Sequence, residues 1–296
     1  MNKQVSSSTP DNACLVCCES RWQHLFNKLD HGFERCEVCG LVRMEIIPSP
    51  DEIANHYQQR TVDGNYDLHL HRARRDNVYA GMFECFSKLF EDGPAGKRIL
   101  DIGCFTGDFL DHAAKAGMET WGLELQPEAA RIASEKHDGR VLNIFMEDAD
   151  AFESESFDCV AALGLIEHLA DPMVLINLVN RVLKPGGLLF IQTPNTGSVI
   201  AKMMGRYWFC YAPVEHIHYF SKRNLFRLLE KWNIQPFWAK SHWKFLEVGF
   251  VIHQMQFWGN DIYRFIRHAE ALIPKDILAM RLPFHGGEML VAARKK

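Results

Sequence analysis

Two Cys-x-x-Cys pairs stand near the start of this chain, Cys14 with Cys17 and Cys36 with Cys39, with 18 residues between them. Each pair can wrap one side of a tetrahedral ion, and the stretch between them can form a small hairpin. Four thiolates close the coordination shell and leave no position for water, so the expected site is structural. Zinc is the metal that the ligand type points to, and iron on four thiolates would read the same. Cys18 could replace Cys17, but the x-x spacing favours Cys17. His24 and His31 lie between the pairs and could also ligate, though solvated or packed histidines are the plainer reading. Redox chemistry wants one such pair at a helix start beside a strand, which two pairs bracketing a hairpin do not supply.

A second set of residues could bind a nucleotide. In "ILDIGCFTGDFL" (99–110), Asp101 ends an apolar run, and Gly103 and Gly107 permit a tight turn with close backbone approach to a ligand. Glu124 follows 23 positions after Asp101, at the end of the next apolar run. An acid there can accept both hydroxyls of a ribose. A dinucleotide dehydrogenase would want the fuller G-x-G-x-x-G spacing, which "GCFTGD" lacks.

These residues need strands and helices to hold them. Apolar runs at 98–102, 120–125, 140–145, 157–166 and 188–195 read as strands, and helical patterns separate most of them. Pro127 suits a first helical turn, Gly117 closes one helix, and Pro-Gly-Gly at 185–187 is expected to end another. Nearly unbroken apolar strands alternating with helices predict an α/β fold with a parallel sheet covered on both faces. After residue 240, "WKFLEVGFVIH" is expected to hold the sixth strand, "GNDIYRFIRHAEALI" has helical spacing, and "EMLVAARK" (288–295) reads as the last strand. Ahead of the sheet, Asp51 is a candidate helix cap.

Together "LDIGCFTGDFL", "GLELQPEAARIA", "FDCVAALGLIEHLADP" and "RVLKPGGLLFIQTPN" resemble the class I S-adenosylmethionine (SAM)-dependent methyltransferases. The resemblance is strong over about residues 95–195 and continues more weakly to the C-terminus. It implies a Rossmann-like seven-stranded sheet, here preceded by a small four-cysteine zinc ribbon, with SAM across the carboxyl ends of the first strands. It implies that Asp101, Gly103 and Gly107 line the methionine part of SAM, Glu124 holds the ribose and Asp148 faces the adenine, with Cys104, Leu125 and Gly164 completing the cofactor set. Glu147 and Asp150 compete with Asp148 for the adenine, and Phe105 stands where the family usually has a glycine. The implied organisation is a disordered tail at 1–12, a zinc-ribbon module at 13–48, a helical lid or linker at 49–94, and a SAM-dependent domain at 95–296 with an acceptor-binding insertion at about 196–240. In the lid, Tyr57 or Tyr66 could touch SAM, and the basic run "HLHRARR" (69–75) is a solvated helix face or a phosphate contact.

Methyl transfer asks for a base near neutral pKa, a task suited to histidine. One candidate is His168, beside Glu167 in "LIEHLADP"; a capping or packing role is its plainer alternative. The other is His216 in "GRYWFCYAPVEHIHYFS", a segment dense in Tyr207, Trp208, Phe209, Tyr211, Tyr219 and Phe220. Apolar walls with a few polar groups are what small-molecule pockets look like, although aromatic stretches also fill cores. "EHIHYFS" resembles the corresponding segment of sugar-modifying C- and O-methyltransferases, which implies Glu215 as orienting group and His216 as base. Net charge is −4, from 33 basic and 37 acidic residues. The cysteine module carries Arg21, Lys28, Arg35 and Arg43 against Glu19, Asp30, Glu34, Glu37 and Glu45. Neither offers the basic face that RNA requires, so an RNA acceptor ranks below a small molecule, a sugar or nucleotide-sugar in particular. A zinc-ribbon scaffold with a vestigial SAM fold is the non-enzymatic alternative. No apolar run reaches the length of a membrane span, and the polar start lacks the apolar centre of a signal peptide, so a cytoplasmic protein with reduced thiols is expected.

Overall fold

A computed structural model describes residues 12–49, 52–53, 72–249, 252 and 273–296. The proposed tail, the lid tyrosines Tyr57 and Tyr66, most of the basic run at 69–75, and the helical pattern at 259–273 fall largely or wholly outside them.

Strands β1 (Trp22–Lys28), β2 (His31–Cys36) and β3 (Val42–Met44) follow the first cysteine pair and carry the second at the end of β2 and the turn beyond it. Ser49 then caps the next turn: its hydroxyl accepts from the Glu52 amide, and the Glu52 carboxylate accepts from the Ser49 amide. The acid three residues after the serine can reach back to it, and Asp51, the expected cap, lies outside the described residues.

The nucleotide-type signature sits in a long alternation: α1 (Arg72–Ser87), β4 (Arg98–Ile102), α2 (Asp108–Lys115), β5 (Glu119–Leu123), α3 (Pro127–Lys136), β6 (Val141–Leu142), β7 (Phe157–Leu163), α4 (Met173–Val182) and β8 (Leu183–Pro194). Next come α5 (Val199–Met204), β9 (His218–Tyr219), α6 (Lys222–Lys231), β10 (Ile234–Glu247), α7 (Lys275–Leu278) and β11 (Arg281–Lys295). The seven-stranded sheet runs β6-β5-β4-β7-β8-β11-β10. β4 to β8 are parallel, and β11 is antiparallel to both of its neighbours. The order turns back after β4, so the carboxyl ends of β4 and β7 flank a switch point where ligands bind in such sheets.

Three boundaries differ from the sequence reading. Pro185 to Gly187 lie inside β8, not in a helix terminus: Leu183 already pairs with Phe157, and a register shift before Cys159 absorbs the turn-forming residues. The strand expected at 140–145 is only two residues long, because it is an edge with few partners. The sixth strand in chain order within this sheet begins at Ile234, well before 243, paired along its length with β11.

The cysteine module does not stand apart. β9, from the aromatic segment, pairs antiparallel with β3, so the second sheet is β1-β2-β3-β9. Its core joins Phe33, Val42 and Met44 to Trp208, Cys210, Tyr211 and Tyr219. Phe33 is fully buried, its ring 5.0 Å from Phe26, 5.4 Å from Tyr211 and 5.6 Å from Tyr219. Truncating such a ring removes both apolar burial and packing contacts. Phe33→Ala is therefore expected to destabilise the protein by about 3–5 kcal/mol, measured by chemical denaturation.

Candidate active site

The four cysteines converge. Their sulfurs lie within 4.8 Å of one another, with Cys14 3.4 Å from Cys39 and Cys17 3.5 Å from Cys36. Tetrahedral zinc with Zn–S bonds of about 2.3 Å separates its sulfurs by about 3.8 Å, so the set fits the ion with little adjustment. The Cys39 thiol donating to Cys14 holds Cys14 down to about 5 and Cys39 high. Such a set gives up its first proton readily, as a thiolate site must. Cys18 stays outside the set; its exposed sulfur takes the Lys231 ammonium at 2.9 Å.

At the carboxyl ends of β4 and β5 the backbone builds a turn. Gly103, at φ +75°, and Cys104 both donate to the Leu123 carbonyl. Phe105 adopts φ +49°, the conformation a glycine would take freely, and its amide donates to Glu124 Oε2 at 2.8 Å. The phenylalanine therefore keeps the glycine-like turn at the cost of backbone strain, of the order of 1–3 kcal/mol. Glu124 Oε1 accepts from the Gln126 amide, so two backbone amides orient this carboxylate and leave it further lone pairs for hydroxyls. Asp101 is buried, and its Oδ1 has no partner among the described residues. Burial pushes its carboxyl well up, and the Glu124 charge adds to the shift. An orphaned buried acid beside a second acid is a place for a cationic, donor-bearing ligand, which suits the methionine ammonium of SAM.

The remaining sequence candidates divide. Gly107 caps α2, and a Cβ there would point at His137 Nε2, 2.9 Å away, so this glycine serves close packing of α2 on α3. Cys104 is buried below the turn. Leu125 is half exposed beside Glu124, and Asn143 donates to the Glu124 and Leu125 carbonyls. Glu147, Asp148 and Asp150 are all exposed on a short 3-10 stretch, so burial does not separate them. Gly164, at φ +64°, closes β7 with its amide on the Gln192 carbonyl.

Past β7 a 3-10 turn, Ile166–His168, carries Glu167 and His168. His216 meets them from the aromatic segment: the two histidine rings lie 4.6 Å apart, edge to face. Glu167 Oε1 is 3.9 Å from His168 Nε2, and donor atoms of all three residues lie within 4.8 Å, so they could also take a divalent cation. His216 Nδ1 is 2.8 Å from the Cys210 carbonyl. A carbonyl only accepts, so Nδ1 carries the hydrogen and Nε2 of the neutral ring is the basic atom.

A buried acid, Glu167 of "LIEHLADP", also lies beside the two histidines, and the fold brings it to His216 from 49 positions earlier in the chain. His218, two residues on, turns the other way; it lies 3.2 Å from the Ala170 carbonyl, and burial pushes its pKa down to about 4. Most of the aromatic side chains also differ from the expected pocket wall. Trp208, Tyr211, Tyr219 and Phe220 are buried, three of them in the core shared with the cysteine module. Val214, at φ +70°, is a β-branched residue in the left-handed region, and it turns the chain just before Glu215 and His216.

The late strands add groups that the sequence does not advertise. Lys244 on β10 pairs with Glu288 on β11 at 2.6 Å. Burial raises the Glu288 carboxyl, but the Lys244 ammonium more than offsets this and leaves it ionised; His216 is among the groups that act on it. His242, opposite Glu288 in register, is pushed down to about 4 by burial. Only cross-strand register brings these residues to the site, and alternation within "SHWKF" is the sole trace of it in the sequence.

A family model described as a methyltransferase domain matches residues 71–236, more than half of the chain. A ubiquinone biosynthesis O-methyltransferase of Xanthomonas oryzae is 37% identical over 108 residues, covering 34% of this chain and 44% of that protein. The chain thus spans under half the length of the curated relatives it matches. Among solved structures, a SAM-dependent methyltransferase of Thermotoga maritima, described as a possible histamine N-methyltransferase, superposes with a TM-score of 0.50 at 18% identity, covering 83% of this chain and 98% of that one. The 1,6-didemethyltoxoflavin-N1-methyltransferase of Burkholderia thailandensis, solved with bound 1,6-didemethyltoxoflavin and S-adenosylhomocysteine, gives 0.50 at 13% identity, with 93% and 99% covered. At these identities the solved structures show the fold. Among the described residues no helix is long and apolar enough to cross a membrane.

Burial raises the Glu167 carboxyl from its ordinary 4.5 to about 8, and the Thr193 hydroxyl donating to Oε2 opposes only part of this. The folded chain therefore holds this proton at pH values where the unfolded chain has lost it, and stability falls as pH rises from 4.5 through about 8. Glu167→Gln cannot ionise and is expected to lose less stability than wild type across that window. Denaturation at its two ends checks this; equal losses would place the Glu167 pKa near its ordinary value. At the other end of the site, a side chain at Gly103 would be forced into φ +75° and against Leu165, 3.3 Å away. Gly103→Val is expected to abolish SAM binding in calorimetry, and normal affinity in a folded variant would remove the turn from the cofactor site.

Proposed function

The chain belongs to the methyltransferase domain family, and from that membership we propose that it transfers a methyl group from SAM to a small-molecule acceptor, a sugar or nucleotide-sugar being the class we favour. SAM supplies an electrophilic methyl on a positively charged sulfur. Asp101, the Gly103–Phe105 turn and Glu124 hold its methionine and ribose parts, with Asp148 toward the adenine. Four thiolates, from Cys14, Cys17, Cys36 and Cys39, hold a structural zinc. The chain then divides into a ribbon at 13–48, a lid or linker at 49–94 and a catalytic domain from 95 onward, with the acceptor segment at about 196–240.

The observation that carries the reading is the environment of His216. Its Nδ1–H is committed to the Cys210 carbonyl, and its ring meets His168 and Glu167 near the carboxyl end of β7. His216 takes a proton from the acceptor at Nε2. His168 packs against the ring, and a protonated Glu167 donates or shares a hydrogen bond without adding a buried charge. A set of neutral donors and acceptors fits a hydroxyl-bearing acceptor, and the resemblance of "EHIHYFS" to sugar-modifying enzymes supports a sugar. The O-methyltransferase name of the curated relatives supports a small molecule methylated on oxygen.

Methyl-labelled SAM, incubated with the protein and a fractionated extract of its source cell, tests the acceptor class. Label in the small-molecule pool is expected; label in nuclease-sensitive RNA would overturn the reading. On the acceptor so found, His216→Ala is expected to keep SAM affinity and to lower turnover by about a hundredfold or more. Unchanged turnover would remove His216 as the base.

A further inference from the structure

We infer that Asn224 and the strand that follows Cys39 are positioning elements for His216, so that the four-thiolate cluster sets the state of the acceptor-side base. This rests on the reading of His216 given above. Asn224 is fully buried, and its Nδ2 donates to the carbonyl of Cys39, one of the four thiol residues, at 2.6 Å. Its Oδ1 accepts from the Ser221 amide and closes the capping box of α6. One side chain therefore pins the cysteine turn to the helix that follows the His216 segment.

Five residues after Cys39, the Met44 amide donates to the Ile217 carbonyl at 3.0 Å. The Ile217 amide donates in turn to the Glu167 carbonyl at 2.7 Å. Residue 217 is thus a backbone bridge, with the cysteine module on one side and the Glu167–His168 turn on the other. Further ties run the same way: Lys28 donates to the Trp208 carbonyl, and the Val214 amide points at Met44 Sδ. His216 itself is fixed within this segment. Its amide donates to Ala212, its carbonyl accepts from the Tyr219 hydroxyl, and its Nδ1 holds Cys210. Tyr219 pairs with Val42 in the module's sheet. Loosening the cysteine turn would release the segment that fixes the ring, while the SAM turn at 101–107 draws its hydrogen bonds from β5 and Glu124.

The test needs no acceptor. In the full chain labelled with nitrogen-15 histidine, long-range proton–nitrogen spectra report which ring nitrogen carries the hydrogen, and the spectrum of His216→Ala assigns the signal. The zinc-loaded protein is expected to show His216 in a single Nδ1–H form. Asn224→Asp keeps the Oδ1 acceptor for Ser221 but loses the donor to Cys39. In that variant, and in the wild type after zinc removal by a chelator, the single form is expected to give way to a mixture of tautomers, with SAM affinity by calorimetry unchanged. A single Nδ1–H form persisting in both would overturn the inference. So would loss of SAM binding together with the ring signature, because the module would then support the whole domain rather than position one ring. Methyl transfer that survives His216→Ala would sink the catalytic reading and leave the ring signature where it is, so the two failures are distinguishable.

Discussion

Ile217 makes two backbone hydrogen bonds in opposite directions, from Met44 and to Glu167. The placement of the His216 segment depends on that arrangement. Neither bond involves a side chain, so neither leaves a mark in the sequence, yet together they bring a module near residue 40 against a turn near residue 167. Burying these amides without partners would cost each about 1–3 kcal/mol, so the chain is held to the geometry that pairs them. The strained Val214 just upstream fits the same picture. A β-branched residue in the left-handed region persists only where its surroundings over-determine it.

The two halves of the site solve opposite electrostatic problems. On the cofactor side, Asp101 and Glu124 sit close together in low dielectric, and burial raises both carboxyls. Unliganded, the pair is unfavourable; a cation between them would stabilise the ionised forms. Around the Glu167–His168 turn and β10 the groups stay near neutral. Glu167 keeps its proton to about 8, and His242 and His218 stay uncharged down to about 4. The ion pair of Lys244 with Glu288 supplies charge without net charge. One end of the site thus carries two buried acids, and the other carries donors and acceptors with little net charge.

Periodicity made the sheet readable. Apolar runs alternating with helices identify a doubly covered parallel sheet, and the glycine turn with an acid 23 positions on marks its ligand end. The four cysteines were equally plain, because their spacing carries the geometry. Side-chain destinations were not. Tyr211 and Tyr219 look the same in the sequence whether they line a pocket or fill a core, and only the β3–β9 pairing sends them to Phe33. Glu215 and Glu167 both precede a histidine, and the sequence does not say which acid meets both rings. Lys244 and Glu288, 44 positions apart in the chain, meet through antiparallel register between two strands.

The cysteine module is too small to close a core on its own apolar residues, as chains of this size generally are. Its buried Phe33, Val42 and Met44 complete their packing only with Trp208, Tyr211 and Tyr219. The ties from Lys28, Met44 and Cys39 close loops of 170 to 185 residues. The entropy cost of closure rises only slowly with loop length, so such distant contacts are thermodynamically accessible once each side presents an ordered surface. A metal on four thiolates would order the module's side, and the capping box of Ser221 with Asn224 orders the other. The module and the histidine segment are therefore one structural unit assembled from two stretches of chain far apart in sequence. The Cys39 carbonyl and the Met44 amide tie the cysteine module by hydrogen bonds to the segment that carries His216.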